Sequence, residues 1–121
     1  MARHNETGQK GEQIACAYLR NKGYTICHTN WRSGHYELDI VASSGEELVV
    51  VEVKTRTSVK FEAPELAVDE RKIRRLVYAA DHYIKLFHSS LPVRFDIISI
   101  LLLPEGEHID HIPDAFYPPV L

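Results

Sequence analysis

The stretch LVVVEVKTRT, Leu48 to Thr57, decides the fold of this chain. It is the most β-branched run of the sequence and reads as a strand. Side chains alternate faces along a strand. Val49, Val51 and Val53 therefore share one face, while Leu48 and Val50, then Glu52, Lys54 and Arg56, share the other. The second face is apolar where it begins and charged where it ends. Such a strand is buried at its start and opens into a polar cleft at its end, where open α/β sheets place their sites.

The preceding stretch completes the pattern. Tyr36 to Ala42 alternates as a strand, with Glu37, Asp39 and Val41 on one face and Leu38, Ile40 and Ala42 on the other. Ser43 to Glu46 forms a four-residue hairpin loop, so the two strands are antiparallel neighbours. Asp39 and Glu52 then converge across the pair. Two close carboxylates repel unless something neutralises them, and a divalent cation does so well. Hard cations such as Mg²⁺ take carboxylate and carbonyl oxygen, and a cation held in this way activates a phosphodiester and a water. Lys54, on the Glu52 face, is placed to hold that water or to stabilise developing negative charge. The plainer alternative is a solvated strand end with a weak Glu52–Lys54 surface pair.

Further out, Gly8 to Lys22 reads as a helix with an apolar stripe of Ile14, Ala15, Tyr18 and Leu19, stopped at Gly23. Glu12 borders Ala15, Cys16 and Leu19 on that helix, either as a first-turn acid or facing the cleft. Tyr24 to His28 is a short strand, followed by a turn region over Asn30 to Gly34. Val59 to Pro64 reads as a loop. A helix follows the N-cap Asp69, with Ile73, Leu76, Val77, Ala80, Ile84 and Phe87 at helical spacing. Val93 to Leu103 is a long apolar strand, and His108 to Ile112 a last short one. The expected architecture is α/β, with a central mixed sheet of four or five strands flanked by helices.

The length of 121 residues suits one domain, 1–121, with 113–121 an irregular Pro-rich tail. A net charge of −3 gives no global polyanion-binding signature, but it accommodates an acidic metal site. No apolar run approaches the ~20 residues of a membrane helix. The polar N-terminus lacks a signal region, so a cytoplasmic location is expected. Cys16 and Cys27 read as reduced structural thiols. Residues 54–75 hold seven of the 14 Lys and Arg against four acids, for a local charge of +3. Arg56, Lys60, Lys72 and Arg75 of that group are candidate phosphate contacts beside the cleft, and Arg71 and Arg74 extend the margin. Trp31 reads as core. His108 and His111, three apart on a strand, point to opposite faces and fit a zinc site poorly.

Several stretches together resemble the YraN family, a bacterial group of predicted endonucleases related to archaeal Holliday junction resolvases. They are GEQIACAYLRNKGY from Gly11, NWR from Asn30, ELDIVA from Glu37, VVVEVKTR from Val49, AVDERK from Ala67 and RFDII from Arg94. Tyr36 and Glu62 stand where the family usually carries glycine. The resemblance implies a restriction-endonuclease-like core with an Asp…Glu-x-Lys site. In it Asp39 and Glu52 are metal ligands, Val53 adds its backbone carbonyl, Lys54 is the catalytic lysine, and Glu12 matches the helical glutamate of resolvase-like sites. The implied cofactor is Mg²⁺ or Mn²⁺, and the implied partner is DNA, including branched DNA. A homodimer is a further expectation from resolvase-like proteins. A nucleic-acid-binding module with little cleavage, and a protein-interaction role for a relic site, remain as alternatives.

Overall fold

The β-branched run takes the middle of a sheet. In the computed structural model, which describes residues 6–58 and 69–116, the elements are α1 (Glu6–Asn21), β1 (Thr25–Ser33), β2 (Tyr36–Ser43), β3 (Leu48–Arg56), α2 (Glu70–Phe87), β4 (Val93–Leu103) and β5 (Gly106–Ile112). The strands form one sheet in the order β1-β2-β3-β4-β5. Only β3 and β4 are parallel, a pairing that needs a crossover, and α2 supplies it. Lys60, Phe61, Glu62 and the loop read over Val59–Pro64 lie outside the described residues.

Each helix covers one face. Leu76, Ala79, Ala80 and Tyr83 of α2 pack on Leu48, Val50, Phe95 and Ile97. Ala15, Cys16 and Leu19 of α1 pack on Val49, Val51, Ile98 and Ile100. The alternation expected along β3 therefore holds, and β4, apolar on both faces, is buried between the layers. Helix α1 ends in a Schellman motif: Tyr24 N–H reaches Leu19 O and Gly23 N–H reaches Arg20 O, each at 3.0 Å, with Gly23 at φ 94°. Helix α2 begins as expected, with Asp69 Oδ1 accepting from Lys72 N–H at 2.9 Å.

Three readings are corrected. Strand β1 does not stop at His28; it continues to Ser33 through an irregularity between Ile26 and His28, and its turn narrows to Gly34 and His35. Gly34, at φ 62°, supplies the positive φ of that two-residue turn. Strand β5 starts at Gly106, not His108, and pairs with β4 along its whole length. Leu38 does not share a face with Ile40 and Ala42: it joins the α2-side core while they join the α1-side core. The partner strand is irregular at the same place. Thr29 pairs with Ile40 and Trp31 with Leu38, so Asn30, at φ 52°, sits opposite Asp39. Asparagine tolerates the left-handed region, and the paired Trp31 and Leu38 both join the α2-side core.

One acid lies in the core. Asp96 is 0% exposed on the α1-facing side of β4. It accepts from Arg94 Nε at 2.9 Å, Arg94 Nη2 at 2.8 Å and Asp114 N–H at 3.0 Å, with His111 Nε2 at 2.7 Å. His111 Nδ1 lies 3.1 Å from the Tyr18 hydroxyl, and Arg94 also reaches Glu47 and the Tyr24 hydroxyl. Burial alone would raise the Asp96 pKa, but the hydrogen bonds from His111, Arg94 and Asp114 outweigh it and hold the carboxyl below its usual range. His111 is thus committed to a structural network joining α1, β4 and β5, which explains its presence without a metal.

Candidate active site

The cleft forms where the β2–β3 pairing ends. That ladder runs from Ser43–Leu48 to Ile40–Val51 and goes no further. At the next step the Asp39 side chain replaces a ladder bond: its Oδ2 accepts from Val53 N–H at 2.9 Å. The strands part there, and the first turns of both helices close over the opening. Glu12 from α1, Glu37 and Asp39 from β2, Glu52 to Thr55 from β3 and Lys72 from α2 line one cleft of about 310 Å³.

Helix α1 approaches closely because residue 11 is glycine. A Cβ there would overlap the Thr55 side chain, lying 2.8 Å from its Cγ2 and 2.9 Å from its Cβ. This contact fixes Glu12, one residue on, at the rim of the opening.

The electrostatics are those of crowded acids held by lysines. Glu52 is 5% exposed. Its Oε2 lies 3.3 Å from Lys72 Nζ and 3.7 Å from Lys54 Nζ. The Asp39 carboxyl is held well above its usual range, first by burial and then by the Glu52 charge, with Glu12 adding to the rise. The Val53 N–H and Lys72 oppose it. An acid that ionises reluctantly beside a second buried acid is a frequent mark of a functional site.

Among the described residues no three His, Cys, Asp or Glu side chains converge tightly enough to hold an ion alone. Mg²⁺ and similar hard cations keep several waters and are commonly held by one or two carboxylates plus substrate phosphates. Asp39 and Glu52, with the Val53 backbone between Glu52 and Lys54, fit that class. Asp39, Glu52, Lys54 and Glu12 line this cleft together, and of the two placements open to Glu12 the one facing the cleft is seen.

The basic candidates divide. Lys72 points into the cleft. Arg56 reaches Ser99 Oγ at 3.4 Å from β3, while Arg75 and Arg71 are exposed on α2 and Arg74 pairs with Glu70 at 3.2 Å. Trp31 is partly buried against Tyr83, as expected for core. Cys16 is buried, Cys27 exposed, and both are free. The Gly11–Thr55 approach and the Lys72–Glu52 pair escaped the sequence reading. A glycine inside a helix was the available signal for the first, since it costs about 0.5–1 kcal/mol against alanine without a packing reason.

The model of an uncharacterised protein family, UPF0102, matches residues 11–100. A UPF0102 protein of Bacteroides thetaiotaomicron is 58% identical over 120 residues, covering 99% of each chain. Another, from Parabacteroides distasonis, is 55% identical over 119 residues, covering 98% of each. Among solved structures, a Holliday junction resolvase of Archaeoglobus fulgidus, Hjc, superposes with a TM-score of 0.51 at 18% identity, covering 88% of this chain and 77% of that one. That likeness concerns the fold: a mixed sheet flanked by helices, the restriction-endonuclease-like arrangement. Among the described residues no helix is long and apolar enough to cross a membrane.

Proposed function

The chain belongs to the uncharacterised protein family UPF0102, the YraN family, and for it we propose a metal-dependent endonuclease activity on DNA. The observation that carries this reading is the convergence of Asp39, Glu52, Lys54 and Glu12, from three elements, on one cleft. The resolvase-like fold supports the nuclease class and suggests branched DNA as substrate.

Asp39 and Glu52 would hold the cation, Mg²⁺ or Mn²⁺, with the Val53 carbonyl beside them and Glu12 as an auxiliary acid. When bound, such a cation polarises the phosphodiester and supplies hydroxide at neutral pH. Lys54 orients the attacking water and stabilises the charge that develops on the phosphate. Lys72, Arg56, Arg75 and Lys60 offer phosphate contacts, which fix position and give salt-dependent affinity. A homodimer, as a second copy of the same site, would suit cleavage of paired strands.

The test uses the full chain with labelled duplex, single-stranded, flap and four-way-junction DNA, in Mg²⁺ or Mn²⁺ against EDTA. Metal-dependent cleavage is expected. Lys54→Ala should fold, bind DNA nearly as well, and cut roughly 10²- to 10³-fold more slowly, the cost of removing one transition-state donor. Wild-type protein that binds these DNAs without metal and cuts none would replace the enzyme with a binding module.

A further inference from the structure

We propose that Lys72 is the built-in counter-cation of the carboxylate pair: it occupies Glu52 until a divalent cation displaces it, and then turns to a substrate phosphate. This rests on the reading of Asp39 and Glu52 as cation ligands.

The two lysines at Glu52 differ. Lys54 comes from the same strand two residues on, and its Nζ is 3.7 Å from Glu52 Oε2. Lys72 comes from another element and is nearer, at 3.3 Å. It also sits where a cation is unfavourable. Asp69 caps α2, so Lys72 lies in the first turn, at the positive end of the helix dipole. The nearby acids offset that disadvantage. Glu52 in turn is 5% exposed and would be costly as an unpaired charge. The pair satisfies both groups while no metal is present.

The same geometry makes the pair reversible. The Lys72 side chain is 39% exposed, so its long stem lies along the cleft wall with a path to solvent. A divalent ion held by Asp39 and Glu52 would bring twice the charge of the ammonium and would remove the reason for Lys72 to stay. Phosphate oxygens entering the cleft are then its nearest new partners. Because a competitor must leave first, the apparent cation affinity is below the intrinsic one, by the fraction of sites that Lys72 holds.

The experiment is a Mn²⁺ titration of the DNA-free full chain, read by the paramagnetic signal of free Mn²⁺, on wild type, Lys72→Met, Lys72→Arg and Asp39→Asn. Lys72→Met is expected to bind Mn²⁺ about five- to tenfold more tightly, a coupling of ordinary size. Lys72→Arg, which keeps the charge, should stay within twofold of wild type. Duplex affinity is measured in parallel with EDTA and with Ca²⁺. Lys72→Met should bind more weakly in Ca²⁺, with a salt slope smaller by about one, and should lose less affinity in EDTA, where Lys72 is held by Glu52; an equal loss in both overturns the exchange. Equal or weaker Mn²⁺ binding by Lys72→Met, while wild type binds and Asp39→Asn does not, overturns the counter-cation role and leaves the metal site standing. No Mn²⁺ binding by wild type or Lys72→Met overturns both.

Discussion

Replacing Asp96 by asparagine isolates the buried polar network from the cleft. The exchange keeps shape and one carbonyl oxygen. If that oxygen takes the Oδ1 position, Arg94 Nε and Asp114 N–H keep their acceptor. The amide nitrogen then faces Arg94 Nη2 and His111 Nε2, which lie 2.8 and 2.7 Å from Oδ2 in the native protein. Two charge-assisted bonds are lost, each worth about 1.5–3 kcal/mol. Arg94 retains Glu47 at 3.1 Å and Tyr24 at 2.7 Å, so the lower half of the range applies, about 3–4 kcal/mol. For a domain of this length about 4 °C of melting temperature accompanies each kcal/mol. Asp96→Asn should therefore melt about 12–16 °C below wild type at pH 7.

The pH dependence checks the mechanism separately. The native Asp96 pKa lies below its ordinary value of 3.8. A depressed carboxylate contributes stability that is complete above the unfolded value and lost as pH falls through the folded one. The gap between wild type and Asp96→Asn should be flat from neutral pH to about 5 and shrink below about 4. Thermal melts followed by circular dichroism from pH 3 to 8 measure both. A drop smaller than about 3 °C at pH 7, below about 0.8 kcal/mol, would refute the energetic argument. A gap that does not narrow in acid would show that carboxylate charge is not its source.

Three further outcomes follow from the cleft and its supports. Gly11→Ala should destabilise despite its better helix propensity, because overpacking costs about 1–3 kcal/mol against a gain of about 1; adding Thr55→Ala should recover part of the loss, and urea titration of the three proteins decides. Asp39→Asn should melt higher than wild type at pH 8 without divalent ions, because the buried charge beside Glu52 is removed. The native Asp39 pKa is raised, so ionisation weakens the native state as pH rises from 3.8 through the folded value. The two proteins should melt alike near pH 4, and only wild type should gain stability from Mn²⁺. Asp69→Ala should lose about 1 kcal/mol with its cap, a scale on which no change in denaturant midpoint would show that the α2 terminus is held by packing alone.

Much of the fold was legible because two periods are written clearly. The repeat of two along Leu48–Thr57 assigns its faces, and the helical spacing from Ile73 to Phe87 assigns α2. The approach of Asp39 to Glu52 was legible too, since a four-residue loop joins their strands. The face of Leu38 was not. It goes with an irregular pairing in which the left-handed Asn30 stands opposite Asp39, and an Asn alone in a sequence does not announce that conformation. Lys72 was visible only as a charge on a helix start; that its long stem bends inward depends on how α2 sits over the sheet, which spacing cannot give. Asp96 had a signal that was available: an Arg and an Asp two apart share a face of a strand otherwise apolar, and a buried acid there requires its cation beside it.

The cleft shows why a site of this kind resists full prediction from pattern. On the reading proposed above, Asp39 has two tasks that pull against each other. Its Oδ2 takes the Val53 N–H that a regular ladder would have paired with backbone, so the carboxylate ends the β2–β3 pairing and satisfies the donor left behind. The same carboxylate sits near Glu52 and Glu12, where its charge is opposed. A neutral amide would serve the first task with less repulsion. On the proposed reading, an acid at this position is explained by the second task, the holding of a divalent cation beside Glu52.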